Sequence, residues 1–144
     1  MILFEYANVE PLNLTLEHKQ WLKSIIRHES LVPGNISYLF CDDQYLLQRN
    51  LFFLHHDTLT DIITFDDCID KLVQGSIIIS LERVRENALN FGVSFQQEIL
   101  RVMAHGVLHL CGYKDKLPDE AKTMREKEAE AIDLYVKTIH NNNQ

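Results

Sequence analysis

No run of apolar residues in this 144-residue chain approaches the ~18 needed to span a bilayer, so no membrane span is expected. The start, Met-Ile-Leu-Phe-Glu-Tyr, lacks the basic-then-apolar layout of a secretory signal, which points to the cytoplasm. Cysteine is sparse. Cys41, Cys68 and Cys111 are odd in number, far apart and without a Cys-x-x-Cys pair, which argues against a disulfide framework and a cysteine-ligated zinc site alike. They read as small, semi-buried apolar residues. Cationic groups are also short: 14 Lys and Arg face 21 Asp and Glu, a formal charge of −7. Unspecific nucleic-acid binding rests on lysine and arginine neutralising phosphates, so this is no generic nucleic-acid binder and no DNA partner is expected. A polyanionic substrate would have to be held by a local patch, by a metal or through a docking partner. With 3 prolines, 5 glycines and neither repeat nor low-complexity linker, nothing divides the chain, and one domain over 1–144 is the reading.

The 46% of hydrophobic residues is enough for a core, and their spacing gives an α+β (mixed α/β) domain: about four strands in a mixed sheet covered by about five helices. Ile2, Phe4, Tyr6 and Val9 suggest an opening strand. Thr15 caps a helix to about His28, on which His18 and His28 read as solvated. Pro33–Gly34–Asn35 reads as a turn, and residues 36–40 as a strand. Asp42–Asp43 start a helix ending near Phe53 or Leu54. The segment from His55 to Thr58 reads as a loop whose adjacent histidines diverge. Residues 60–65 and 75–80 read as strands, the second too apolar to face water and therefore central. A short helix over 81–90 leads through Phe91–Gly92 to Ser94, which with Gln97 resembles a capping box for a helix running to about Cys111. A last helix starts near Pro118. Its inner face is read as Ala121, Met124, Ala129, Ile132 and Leu134, its charge run from Lys122 to Glu130 as solvated, and residues 140–144 as a frayed tail.

The capped helix carries the chemistry. His105 and His109, four apart, project from one face with Cβ atoms ~5–6 Å apart, near enough for both imidazoles to reach one cation. Gly112 can stop the helix and turn the chain back, so Asp115 swings round as a third ligand in the pattern His-x-x-x-His-x-x-Gly-x-x-Asp. A buried histidine is more often satisfied by a backbone carbonyl, but two at this spacing with a glycine stop and a nearby carboxylate favour metal. The metal site is thus placed at the C-terminal end of a central helix packed on the sheet. Three protein ligands with an open position suit catalysis, since structural zinc is normally closed by four. Two histidines and a carboxylate suit Zn2+, and also Ni, Mn or Fe(II). Zinc peptidases place a glutamate beside the first histidine as general base; here that position is Gly106, which disfavours proteolysis.

The segment from His105 to Tyr113 resembles the signature His-Gly-x-Leu-His-Leu-x-Gly-Tyr-Asp-His of the YbeY-type metal-dependent endoribonucleases. Asp57-Thr-Leu-Thr60-Asp61-Ile-Ile-Thr-Phe65 is similar to that family's Asp-x-x-Thr-Asp-Val-Leu-Ser-Phe, and Gly75-Ser-Ile-Ile-Ile to its Gly-Asp-Ile-x-Ile. Asp119-Glu120-Ala121 and Met124 resemble its C-terminal helix. The resemblance spans about Ile36 to Glu130. It implies a zinc site, cleavage of single-stranded RNA, and a role in small-subunit ribosomal RNA maturation and ribosome quality control, with the ribosome or ribosomal proteins as partners. Asp115 falls where the family has its third histidine. An alternative register leaves Lys116 there, a poor ligand because its amine is protonated. Leu54 stands where the family carries an arginine suited to a phosphate, which leaves Arg49, Lys114 and Lys116 as candidate phosphate contacts. Catalysis is expected from a water or hydroxide on the metal held by His105, His109 and Asp115. The alternatives are another metal-dependent hydrolase, even a peptidase with a displaced base, and a ribosome-binding module with a structural metal.

Overall fold

The computed structural model describes residues 1–54 and 61–142; the side chains of residues 50–54 and 140–142 lie outside that description. Among the described residues the order is β1 (Ile2–Ala7), α1 (Leu16–His28), β2 (Val32–Cys41), α2 (Asp43–Leu54), β3 (Ile62–Asp66), β4 (Leu72–Ser80), α3 (Leu81–Phe91), α4 (Phe95–Leu110) and α5 (Pro118–Asn142). The strands lie in the order β1-β2-β4-β3. β1 and β4 flank β2 in parallel and β3 runs antiparallel to β4, so the sheet is mixed and β4 is central, as its apolar run requires. Tyr38, Phe40, Ile77 and Ile79 enter one buried cluster with α1 and α4, while Ile63, Ile78 and Cys41 pack with Leu46 of α2. Alternation along β2 and β4 thus sends α4 and α2 to opposite faces of the sheet.

Three expectations are corrected here. Pro33–Gly34–Asn35 is no turn but a register irregularity inside β2, between Pro33 and Ile36. The chain turns earlier, at Ser30 with φ 60°, where the Leu31 N–H bonds back to the Ile26 carbonyl. His18 is half-buried rather than solvated, because its Nδ1 accepts the Thr15 N–H at 3.0 Å and so does the work of the glutamate in a capping box. The last helix continues through Asn142 instead of fraying from 140; of its expected inner face Met124, Ile132 and Leu134 pack on the core and Ala121 is half-buried, but Ala129 is exposed, and Glu128 and Ala131 are buried instead. The expected loop from His55 to Thr58 and the start of the next strand at Thr60 lie outside the described residues.

Buried hydrogen bonds tie α5 to α1 and α4 to the sheet. The Trp21 indole N–H of α1 donates to the Ala131 carbonyl at 2.7 Å, and α4 is held to the sheet by the Tyr38 hydroxyl donating to the Met103 carbonyl at 2.7 Å. Both donors are fully buried, where a lost partner costs about 1–3 kcal/mol.

Candidate metal centre

Helix α4 begins where the sequence places it. The Ser94 hydroxyl accepts the Gln97 N–H at 3.1 Å and the Gln97 side chain accepts the Ser94 N–H at 3.0 Å, so two orphan donors of the first turn are satisfied reciprocally. At the other end Gly112 takes φ 107°, and the Tyr113 N–H returns to the Leu108 carbonyl at 3.1 Å. This reversal carries Asp115 back over the last turn of α4. Its Oδ2 stands 3.2 Å from His105 Nε2 and 3.5 Å from His109 Nε2. The three candidate donor atoms lie within 4.8 Å of one another.

The opposite edges of the rings are engaged as well. His105 Nδ1 is 2.6 Å from Glu128 Oε2, and His109 Nδ1 is 2.8 Å from the Tyr113 carbonyl. A carboxylate and a carbonyl only accept, so each neutral imidazole carries its proton on Nδ1 and leaves its Nε2 lone pair bare. Two bare lone pairs and a carboxylate oxygen then face one another with no proton donor among them. That arrangement repels itself and is relieved by a cation, so the residues fit a divalent metal. Beside His105, the buried carboxylates of Glu98 and Glu128 share the one guanidinium of Arg101.

A model of the family described as Endoribonuclease YbeY matches residues 5–135. The chain belongs to the endoribonuclease YbeY family. An Endoribonuclease YbeY of Flavobacterium johnsoniae is 47% identical over 135 residues, covering 94% of this chain and 97% of its own length. One from Porphyromonas gingivalis is 45% identical over 120 residues, with 83% and 80% covered. The solution structure of TM1509 from Thermotoga maritima superposes with a TM-score of 0.70 at 26% identity, over 99% of this chain and 93% of that one. By family the chain is therefore an endoribonuclease, a hydrolase acting within RNA.

Gly106 gains a structural reason within this YbeY chain. A Cβ there would lie 2.9 Å from Ile77 Cγ2 and 3.0 Å from Ile62 Cδ1, so the position faces the sheet and not the metal donors. A glutamate there could not reach a substrate water. Of the candidate phosphate contacts, Lys114 and Lys116 are exposed on either side of Asp115. Arg49 is elsewhere: it lines a hollow with Ser37, Leu39, Ser76 and Ile78, on the sheet face away from α4, and its guanidinium donates to the Tyr45 hydroxyl at 2.8 and 3.1 Å. The side chain of Leu54 lies outside the described residues.

What the sequence reading missed is Glu128, placed there on a solvated face. It is buried, and Arg101 Nη1 reaches both its carboxylate oxygens at 3.2 and 3.3 Å. Arg101 also grips Glu98 through Nε at 2.9 Å and Nη2 at 2.6 Å, and this contact chiefly raises the guanidinium's already high pKa. The available signal was the spacing 121, 124, 128, 131, in which Glu128 occupies a core position of a 3-4 stripe. The cysteines hold to their apolar reading: burial pushes the Cys111 thiol up to about 12, which keeps it protonated.

Proposed function

We propose that residues 1–144 act as one metal-dependent endoribonuclease domain that cuts single-stranded RNA, with small-subunit ribosomal RNA as substrate and the ribosome or ribosomal proteins as docking partners in the cytoplasm. His105, His109 and Asp115 hold the metal, with Zn2+ the first choice and Ni, Mn or Fe(II) compatible with the same donors. The observation that carries this reading is the convergence of two bare Nε2 atoms and one carboxylate oxygen at a partly open edge, where side-chain exposure rises from 14% at His105 through 24% at His109 to 39% at Asp115. A divalent cation bound there supplies Lewis acidity toward a phosphate oxygen and toward water.

The protein's own residues do the rest. His105 and His109 present fixed lone pairs from a rigid helix, and Asp115 adds the charge that favours a cation over a proton. Lys114 and Lys116 stand where a phosphodiester entering over Asp115 would meet them. Two lysines are few against a chain charge of −7, so free RNA binds weakly, and docking to a partner supplies the remaining affinity. Gly106 argues against the peptidase alternative, since no base can project toward the donors from that position.

The test is metal-loaded protein against labelled single-stranded RNA and against casein, beside His109→Ala purified identically. Chelator-sensitive RNA cleavage lost in the variant is expected, with casein intact. Equal RNA cleavage by parent and variant refutes the assignment, and metal-dependent casein cleavage lost in the variant establishes the peptidase in its place.

A further inference from the structure

His105 and His109 are oriented by different means. The acceptor for His109 is a backbone carbonyl four residues on, delivered by the same turn that ends α4. The acceptor for His105 comes from another helix, 23 residues away, and is a buried carboxylate. Glu128 does not reach it as an isolated side chain. Glu98 and Arg101 stand three apart on the flank of α4, and His105 follows one turn after Arg101, so the guanidinium is clamped by Glu98 before it meets Glu128. Glu98 is 2% and Glu128 5% exposed.

Stability alone is a poor account of this chain of charges. Burying two carboxylates around one guanidinium costs desolvation that their attraction barely offsets, and apolar side chains of similar size commonly serve as well or better. What apolar side chains cannot do is accept a proton from an imidazole. Arg101, its Nε and Nη2 held by Glu98, places Nη1 against both oxygens of Glu128, and a carboxylate held there presents Oε2 to His105 Nδ1 in one ring orientation and one tautomer.

We propose that Glu128, braced by Arg101, is a positioning residue for His105: it fixes the Nδ1–H tautomer and turns Nε2 toward Asp115, so that docking of α5 on α4 completes the metal centre. The proposal rests on the reading of His105 as a metal donor. Partners of this kind, hydrogen-bonded to the far nitrogen of a ligand histidine, set both ring orientation and ligand basicity, and their loss costs about 10–100-fold in metal affinity.

The experiment uses the full chain, uniformly 15N-labelled and stripped of metal, with the histidine tautomers assigned from long-range proton–nitrogen spectra and zinc affinity measured by competition with a chelating indicator. In the parent, His105 carries its proton on Nδ1. In Glu128→Ala the ring takes a mixture of tautomers and zinc affinity falls by about 10–100-fold. Glu128→Gln, whose amide oxygen accepts the same N–H, restores the parent tautomer and recovers most of the affinity. A folded Glu128→Ala protein with the parent's tautomer and zinc affinity overturns the proposal. If Glu128→Ala does not fold, the parent decides: an Nε2–H tautomer at His105 overturns the proposal and an Nδ1–H tautomer upholds it. Failure of the parent to bind zinc refutes the metal reading separately, because the tautomer is read without metal.

Discussion

Gly106→Ala sets two effects of opposite sign against each other at the position where α4 meets the sheet. In an exposed helix the change would stabilise by about 1 kcal/mol, because glycine is the poorer helix former. Here the added methyl would lie 2.9 and 3.1 Å from two methyl groups of Ile77 and 3.0 Å from Ile62 Cδ1, each well inside the ~3.5–4.0 Å of an ordinary carbon contact. Ile77 cannot give way easily: it is fully buried on the central strand β4, and its branched Cβ leaves few rotamers. Overpacking of this kind costs about 1–3 kcal/mol, and three short contacts on two strands place it toward the upper end. A net loss of about 1–2 kcal/mol is therefore expected, or about 2–8 °C in Tm for a domain of this size. Urea unfolding of parent and variant measures it, with an unchanged slope showing that only stability has moved. A variant as stable as the parent would refute the close approach of α4 to the sheet, and with it the argument that a side chain at 106 faces away from the metal donors. Gly106→Glu writes the peptidase pattern His-Glu-x-x-His into the chain but should give an unfolded protein with no peptidase activity, since a carboxylate wedged among isoleucines costs several kcal/mol.

Asp115→Asn should weaken zinc retention by at least about tenfold, because loss of a direct donor exceeds that of an outer hydrogen-bond partner, whereas Asp115→His should retain the metal; chelator competition measures both, and zinc held by Asp115→Asn as tightly as by the parent would reassign the third ligand. Trp21→Phe removes the 2.7 Å bond to Ala131 and should cost about 1–3 kcal/mol in urea unfolding, while a neutral result would mean that α1 does not anchor α5 through this indole. Burial holds the His18 pKa below its ordinary value, against a smaller opposing pull from Glu17. The folded state therefore favours neutral His18, and the stability this brings is full above about pH 6.5 and is lost as the pH falls through the lower folded value. Between pH 7 and 5 the parent should lose stability that His18→Gln keeps, and parallel losses in the two proteins would remove His18 from the cap.

Elements whose signals are local were legible in the sequence. Ser94 and Gln97 announced the start of α4 because both halves of a capping box lie within four residues, and the unbroken apolar run of β4 announced a central strand because no face of it is polar. Pro33–Gly34–Asn35 misled because the same residues that favour turns also relieve a bulge, and only the pairing of β2 with β4 decides between them. His18 misled for a related reason: a histidine among polar neighbours reads as solvated unless its Nδ1 is known to close the first turn of α1.

The metal donors and the groups that orient them differ in the same respect. His105, His109, Gly112 and Asp115 fall within eleven residues, and one helical turn plus the reversal at Gly112 brings them together. Arg49 is also near in composition and chemistry, yet the sheet intervenes, because α2 packs on the face that α4 does not. Glu128 lies 23 residues beyond His105 in a run of charges where one more glutamate attracts no notice. Its meaning comes from phase rather than type: Met124, Glu128 and Ala131 share one buried stripe, and a carboxylate in a core position must find a guanidinium, an imidazole or both. A charged residue in phase with the apolar positions of a helix thus calls for a partner on whatever that helix packs against. Here α5 packs against the flank of α4 that carries Arg101 and His105, so the docking of two helices settles how the first metal donor is aimed.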